Sequence, residues 1–199
     1  MTLNLTLSLI VIFVLIGCSA FFAGSETALT AVSKARMYHL ANEGSLAAKN
    51  VNRLIGDRER LIGALLLGNT FVNILASSLA TEVTLAEFPE SGVAIAAGAM
   101  TVIVLIFGEV LPKTFAIART DRMALAVALP VRAFVFIITP FQVTVQIIVR
   151  ALLHLCGVRG SEAEPVLTAH EEIRGAIDLH HEEGGVEREH RDMLGGILN

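Results

Sequence analysis

Leu105-Ile106-Phe107-Gly108-Glu109-Val110-Leu111-Pro112-Lys113 sets one carboxylate at the end of an uncharged, apolar run that begins at Gly92. A charge at that depth in a membrane segment costs ~2.5–3.5 kcal/mol on insertion scales and by default marks a functional site. Pro112 has no N–H, so in a regular helix the carbonyl of Gly108, four residues back, loses its donor. A carboxylate and a freed carbonyl then lie side by side, a pair of hard oxygen ligands suited to a hard cation. A plainer reading stands beside this one: Glu109 and Lys113, four apart, form an ion pair that neutralises a helix end.

The composition fits a membrane setting. Hydrophobic residues make up 54% of the 199 and charged residues 17%, and the mean hydropathy is +0.67. Such values exclude an ordinary soluble domain. The two cysteines, Cys18 and Cys156, are far apart and carry no disulfide or zinc spacing. The net charge of −4 conceals an asymmetry: from Glu162 onward ten acidic residues face three arginines, so the chain before Glu162 is net basic.

Working outward, residues 3–25 are uncharged. Leu15-Ile16-Gly17-Cys18 loosely mimics a lipoprotein signal, but no basic residue precedes it and the apolar run continues to Leu29. A signal peptide has a basic start and stops sooner, so a first spanning helix is read over about 5–31. Residues 33–60 hold Lys34, Arg36, Lys49, Arg53, Arg58 and Arg60. Positive charge beside a span places this segment in the cytoplasm, and helix-forming stretches on either side of Glu43-Gly44-Ser45 predict a helical hairpin there. Residues 61–81 form a second span, the loop Phe88–Gly92 has no basic residue and is external, and a third span over about 93–118 returns to Lys113, Arg119 and Arg122. The N-terminus is therefore expected outside and the C-terminal part inside.

Residues 123–156 are apolar but interrupted by Pro130, Arg132, Pro140, Gln142, Gln146 and Arg150. The uncharged piece 133–149 is at the short limit for a span, so a broken helix lying along the inner interface is expected, as a belt around the bundle. Beyond it, Thr168 to Glu171 reads as a capping box, and two short acidic helices follow, separated at Gly184-Gly185. The chain ends within a helical pattern at Asn199, so a further soluble domain is expected after it. The domain reading is 1–157 for the membrane part with its juxtamembrane helices and 158–199 for the acidic helical region. The fold class is an all-α membrane protein.

Polar residues inside the spans narrow the chemistry. Asn69, Asn73 and Ser77 step by four along one face of the second span. Asn69 alone reads as interhelical glue, whereas Asn73, nearer mid-span, reads as a site residue. The first span carries Ser19, then Ala23-Gly24-Ser25-Glu26, where small residues loosen a helix and expose carbonyls. Close packing through Ala20, Ala23, Gly24 and Ala28 explains the small residues without a site, but not Glu26, which is placed to pair with Lys113. The set is all oxygen, suited to Mg²⁺, Ca²⁺ or Na⁺ and poorly suited to zinc or copper. His170, His180, His181 and His190 sit among carboxylates without fixed spacing and read as a solvated acidic face. No catalytic constellation is present, and neither an enzymatic role nor a nucleic-acid partner is expected.

Three ordered motifs carry a resemblance: Phe21-Phe-Ala-Gly-Ser-Glu-Thr-Ala-Leu29, Leu65-Leu-Leu-Gly-Asn-Thr-Phe-Val-Asn-Ile-Leu-Ala-Ser77 and Phe107-Gly-Glu-Val-Leu-Pro-Lys-Thr114. They resemble the membrane domain of CorC and cyclin M (CNNM) proteins, and Glu171–Asp178 is similar to the start of that family's acidic helical bundle. The resemblance covers nearly the whole chain. It implies a homodimeric Mg²⁺ transporter in the cell (inner) membrane, exporting Mg²⁺ and driven by Na⁺ entry, with three spans and a belt. ATP would bind only through a cystathionine-synthase-type domain pair that this chain lacks. The family's ion site is similar to Ser19, Ser25, Asn73 and Glu109 here, with backbone carbonyls near Ala23, Gly24 and Gly108. Many relatives have serine at the position of Ala23, so a ligand there would be its carbonyl. Some relatives are similar to polyamine exporters, which leaves an organic-cation exporter as an alternative, and a non-transporting ion or nucleotide sensor as another.

Overall fold

The computed structural model describes residues 2–155, and these are helical with no strand among them. The acidic helices read beyond residue 160 lie outside the described residues. The helices are α1 (Thr2–Ala31), α2 (Lys34–Asn42), α3 (Leu46–Gly56), α4 (Arg58–Glu87), α5 (Gly92–Ile103), α6 (Leu111–Ala118) and α7 (Thr120–Leu155), with a π-helical segment, Val104–Val110, joining α5 to α6. The chain divides into two compact units, Met1–Ile147 and Ile148–Asn199.

The basic hairpin forms as its caps dictate. Ser33 and Ser45 accept from the backbone N–H groups of Arg36 and Ala48 at the starts of α2 and α3. Gly44, at φ 100°, ends α2. Its N–H bonds the Ala41 carbonyl while that of Ser45 bonds Leu40, the paired closure that a left-handed glycine permits. Asp57 caps α4 through the Arg60 N–H.

Four stretches are long and apolar enough to cross a membrane: Leu5–Ala31, Arg58–Glu87, Gly92–Ala118 and Thr120–Val145. The first three are the expected spans. Antiparallel packing of α1 on α4 is fixed by Ser19 against Asn69 at one level and Ile12 near Ala76 and Ala80 toward the other end. α5 returns against α4, with the Thr84 hydroxyl donating to the Gly92 carbonyl at 2.9 Å.

The fourth stretch, in α7, has a different set of partners. Asp121 pairs with Arg36 at 2.7 Å, Arg132 donates to the Asn50 side chain at 2.6 Å, Thr139 accepts from Arg60 at 3.1 Å and Gln142 donates to the Arg60 carbonyl at 2.9 Å. From Asp121 to Gln142 a helix rises ~32 Å, about the thickness of a bilayer core. Yet every one of those partners belongs to the basic hairpin or the first turn of α4. From Asp121 to Gln142, α7 therefore runs along the basic end of the bundle. Ala124, Val127, Ala128 and Val131 bury against Leu29, Val51, Leu61 and Leu65 there. The expectation of a broken helix is corrected: α7 passes through Pro130 and Pro140 without interruption. Each proline removes only one helical hydrogen bond, and tertiary contacts hold the helix on both sides of Pro140.

Candidate functional site

The third span and α1 lie parallel and in register. A side chain added at Gly108 would stand 2.9 Å from Ser19 Oγ, and one at Gly24 would stand 3.4 Å from the Pro112 carbonyl. Immediately after Pro112, Lys113 Nζ is 3.9 Å from a carboxylate oxygen of Glu26. The glycines are thus points of close approach, with Ala23, Gly24, Gly108 and Pro112 all buried.

Around Gly108 the backbone is widened. Leu111 N–H bonds the Ile106 carbonyl, five residues back. Leu111 is the α-helical donor for Phe107, and Pro112 the missing one for Gly108. Two successive carbonyls therefore lack their α-helical donor, where the sequence expected one. Single π turns of this kind often mark functional positions.

A polar chain crosses the helices at this level. Ser19 Oγ donates to Asn69 Oδ1 at 2.8 Å, and both residues are buried. Asn73 Nδ2 donates to the same oxygen at 3.4 Å. Of the two asparagines, Asn69 is the buried hub and Asn73 is half-buried. Ser19, Asn69, Asn73 and Gly108 are brought together.

Glu109 is half-buried, and no hydrogen bond or ion pair reaches its carboxylate among the described residues. Lys113 pairs with Glu26 instead, so the plain ion-pair reading of Glu109 does not hold. Glu109 lines an open cleft of about 510 Å³ together with Ser77, Thr81 and Thr101. The sequence reading missed Thr81 and Thr101. Thr81 is the next step of four after Asn69, Asn73 and Ser77, and Thr101 lies two such steps before Glu109.

Ser25 is separate from this chain. It lies six residues beyond Ser19, ~9 Å along the helix, and its Oγ is fully buried without a partner among the described residues. An unsatisfied buried hydroxyl costs ~1–3 kcal/mol. The Ala23 carbonyl already accepts from the Thr27 hydroxyl at 3.1 Å, which reduces its availability to an ion. No group of three or more His, Cys, Asp or Glu occurs among the described residues; the donors are hydroxyl, amide and carbonyl oxygens with a single carboxylate.

These features define a class: a multi-pass helical membrane protein with an oxygen-lined polar site where α1, α4 and a π-widened third span meet. The chain matches the family model described as the cyclin M transmembrane N-terminal domain over residues 10–190, and it belongs to that family. It is 34% identical over 181 residues to the inner membrane protein YfjD of Escherichia coli K12, covering 91% of this chain and 42% of that protein. It is 30% identical over 194 residues to a Haemophilus influenzae protein, with 98% and 46% covered. It is also 33% identical over 193 residues to a chloroplastic DUF21 domain-containing protein of Arabidopsis thaliana, with 95% and 28% covered. The chain thus spans less than half the length of these relatives.

Proposed function

We propose that this domain carries Mg²⁺ across the membrane through a site that replaces most of the ion's hydration shell. The observation that carries the reading is the carboxylate of Glu109, unpaired among the described residues, which follows two carbonyls without α-helical donors and lines a cleft with Ser77, Thr81 and Thr101; the neighbouring Gly108 meets Ser19 of the Ser19–Asn69–Asn73 chain. Mg²⁺ requires near-octahedral oxygen coordination at ~2.0–2.1 Å and gives up water reluctantly. Hydroxyl, amide, carbonyl and carboxylate oxygens from three helices supply the needed donor types, and Ser25 Oγ is a further buried oxygen with nothing to bond. Release requires the helices to rearrange, and Na⁺ entering competes for some of the same oxygens and drives export. The working unit in this reading is a homodimer in the inner membrane, with the N-terminus outside and α7 as a belt on the cytoplasmic side. ATP acts only through a domain beyond this chain.

Membership of the cyclin M family supports a transport role. Among the described residues the cleft beside Glu109 has no aromatic residue in its lining, which disfavours a pocket for organic polyamines. Mg²⁺ flux in proteoliposomes with an imposed Na⁺ gradient tests the reading. Flux is expected, with little inhibition by spermidine. Absence of flux from protein that still binds Mg²⁺ would favour the sensor alternative, and strong inhibition by spermidine the exporter of organic cations.

A further inference from the structure

We propose that an arginine-lined cavity at the basic end of the bundle binds the phosphate of an anionic membrane lipid. The cavity, about 210 Å³, lies between the α3–α4 junction and α7, and Arg53, Arg60 and Arg132 all line it, with Asp57 the only carboxylate in its lining among the described residues. Three guanidinium groups against one carboxylate leave a formal +2. Asp57 is engaged elsewhere: its Oδ1 accepts the Arg60 backbone N–H as the cap of α4.

Neutral acceptors orient two of the three arginines without neutralising them. Arg132 donates to the Asn50 side chain at 2.6 Å, and Arg60 Nε donates to Thr139 Oγ1 at 3.1 Å. Among the described residues none of the three is in an ion pair. Like charges gathered round one cavity repel, and a phosphate, with several acceptor oxygens, is what such a fork of planar donors fits.

The surroundings point to a lipid as the source of that phosphate. Phe136, a wall of the cavity, is 81% exposed, and its neighbour Ile137 is 69% exposed. The arginines stand where the apolar run of α4 begins, the level at which headgroups meet a span. A phospholipid sets its phosphate on the guanidiniums and its acyl chains along Phe136. A soluble phosphate uses only the first half of that surface.

Lipid retention by the purified protein in detergent, followed by native mass spectrometry and thermal melting, tests this. Phosphatidylglycerol, phosphatidylcholine and inorganic phosphate are compared on the natural chain, Arg53→Gln, Arg132→Gln and the control Lys49→Gln. Phosphatidylglycerol is expected to be retained and to raise the melting midpoint. Each arginine variant should weaken it roughly fivefold, the factor set by about 1 kcal/mol per basic residue near a membrane surface, and Lys49→Gln should not. Arg53 makes no hydrogen bond among the described residues, so Arg53→Gln carries the test if Arg132→Gln melts early. Equal retention of phosphatidylcholine, equal stabilisation by inorganic phosphate, or equal weakening by Lys49→Gln would each overturn the proposal.

Discussion

Lys113 directs its ammonium to Glu26 on α1, 3.9 Å away, and not to Glu109 one turn before it on its own helix. The pair ties the third span to the first on the side away from the cleft, and both side chains are partly exposed, at 42% and 28%. An exposed pair at that distance contributes at most about 1 kcal/mol. Its structural consequence is larger than its energy, because it leaves the Glu109 carboxylate without a counter-charge among the described residues.

Glu109→Gln is therefore expected to fold as well as the natural chain and to lose Mg²⁺. If Glu109 neutralised Lys113, the variant would strand a charge and melt early, and Lys113→Met would rescue it. With Lys113 already paired to Glu26, the melting midpoint should barely move in either single variant. Loss of a charged ligand should exceed the ~10–100-fold that loss of an outer-shell partner costs a metal site. Mg²⁺ titration by calorimetry on the folded variants decides it, and recovery of binding in Glu109→Gln/Lys113→Met would refute the ligand role.

Asn69 and Asn73 should separate stability from transport. Asn69 Oδ1 accepts from both Ser19 and Asn73, so Asn69→Ala leaves a buried hydroxyl unsatisfied and should cost ~1–3 kcal/mol. Asn73 is half-buried, and through its amide nitrogen it makes a single long contact of 3.4 Å, which leaves its carbonyl oxygen for an ion. Asn73→Ala should change stability by less than about 1 kcal/mol and abolish flux. Denaturant melts and proteoliposome flux on the two variants check the split; equal destabilisation would contradict the assignment of Asn69 as the hub.

Much of this was legible in the residues. Six basic residues between Lys34 and Arg60, set against a loop at Phe88–Gly92 with none, separate the apolar stretches, and Gly44 marks the hairpin turn. The site was legible as a list of residues rather than as geometry. Asn69 and Asn73 share a face, and only the rotation of α4 against Ser19 decides which is buried. Pro112 announces one missing donor; that Leu111 turns to Ile106, freeing a second carbonyl, depends on how Gly108 seats against Ser19. Hydropathy reads Thr120–Val145 as a span as readily as a belt, because the difference lies in contacts with Arg36, Asn50 and Arg60.

Those contacts make the topology testable. If α7 lies along the basic end, single cysteines at Leu46 in the hairpin and Gly160 after α7 report from the same side of the membrane. With Cys18 and Cys156 replaced by alanine, both Leu46→Cys and Gly160→Cys should resist an impermeant maleimide in intact cells and react after permeabilisation. Labelling of Gly160→Cys alone from outside would make α7 a fourth crossing.

Gly108→Ala probes the contact that seats the π segment on α1. The new methyl would stand 2.9 Å from Ser19 Oγ and 3.5 Å from Ser19 Cβ. The hydroxyl is held by its 2.8 Å bond to Asn69, so relief requires breaking that bond or parting the helices. Overpacking of this kind costs ~1–3 kcal/mol. Ser19→Ala removes the clashing oxygen and keeps the Cβ at an ordinary contact distance, so Gly108→Ala/Ser19→Ala should recover most of the lost stability. It should not recover Mg²⁺ binding, because the double variant lacks the serine hydroxyl that joins the polar chain at Gly108. A double-mutant cycle on melting midpoint and Mg²⁺ affinity gives both readouts. A coupling in stability near zero would mean that Gly108 and Ser19 do not meet as described; restored affinity in the double variant would remove Ser19 from the site.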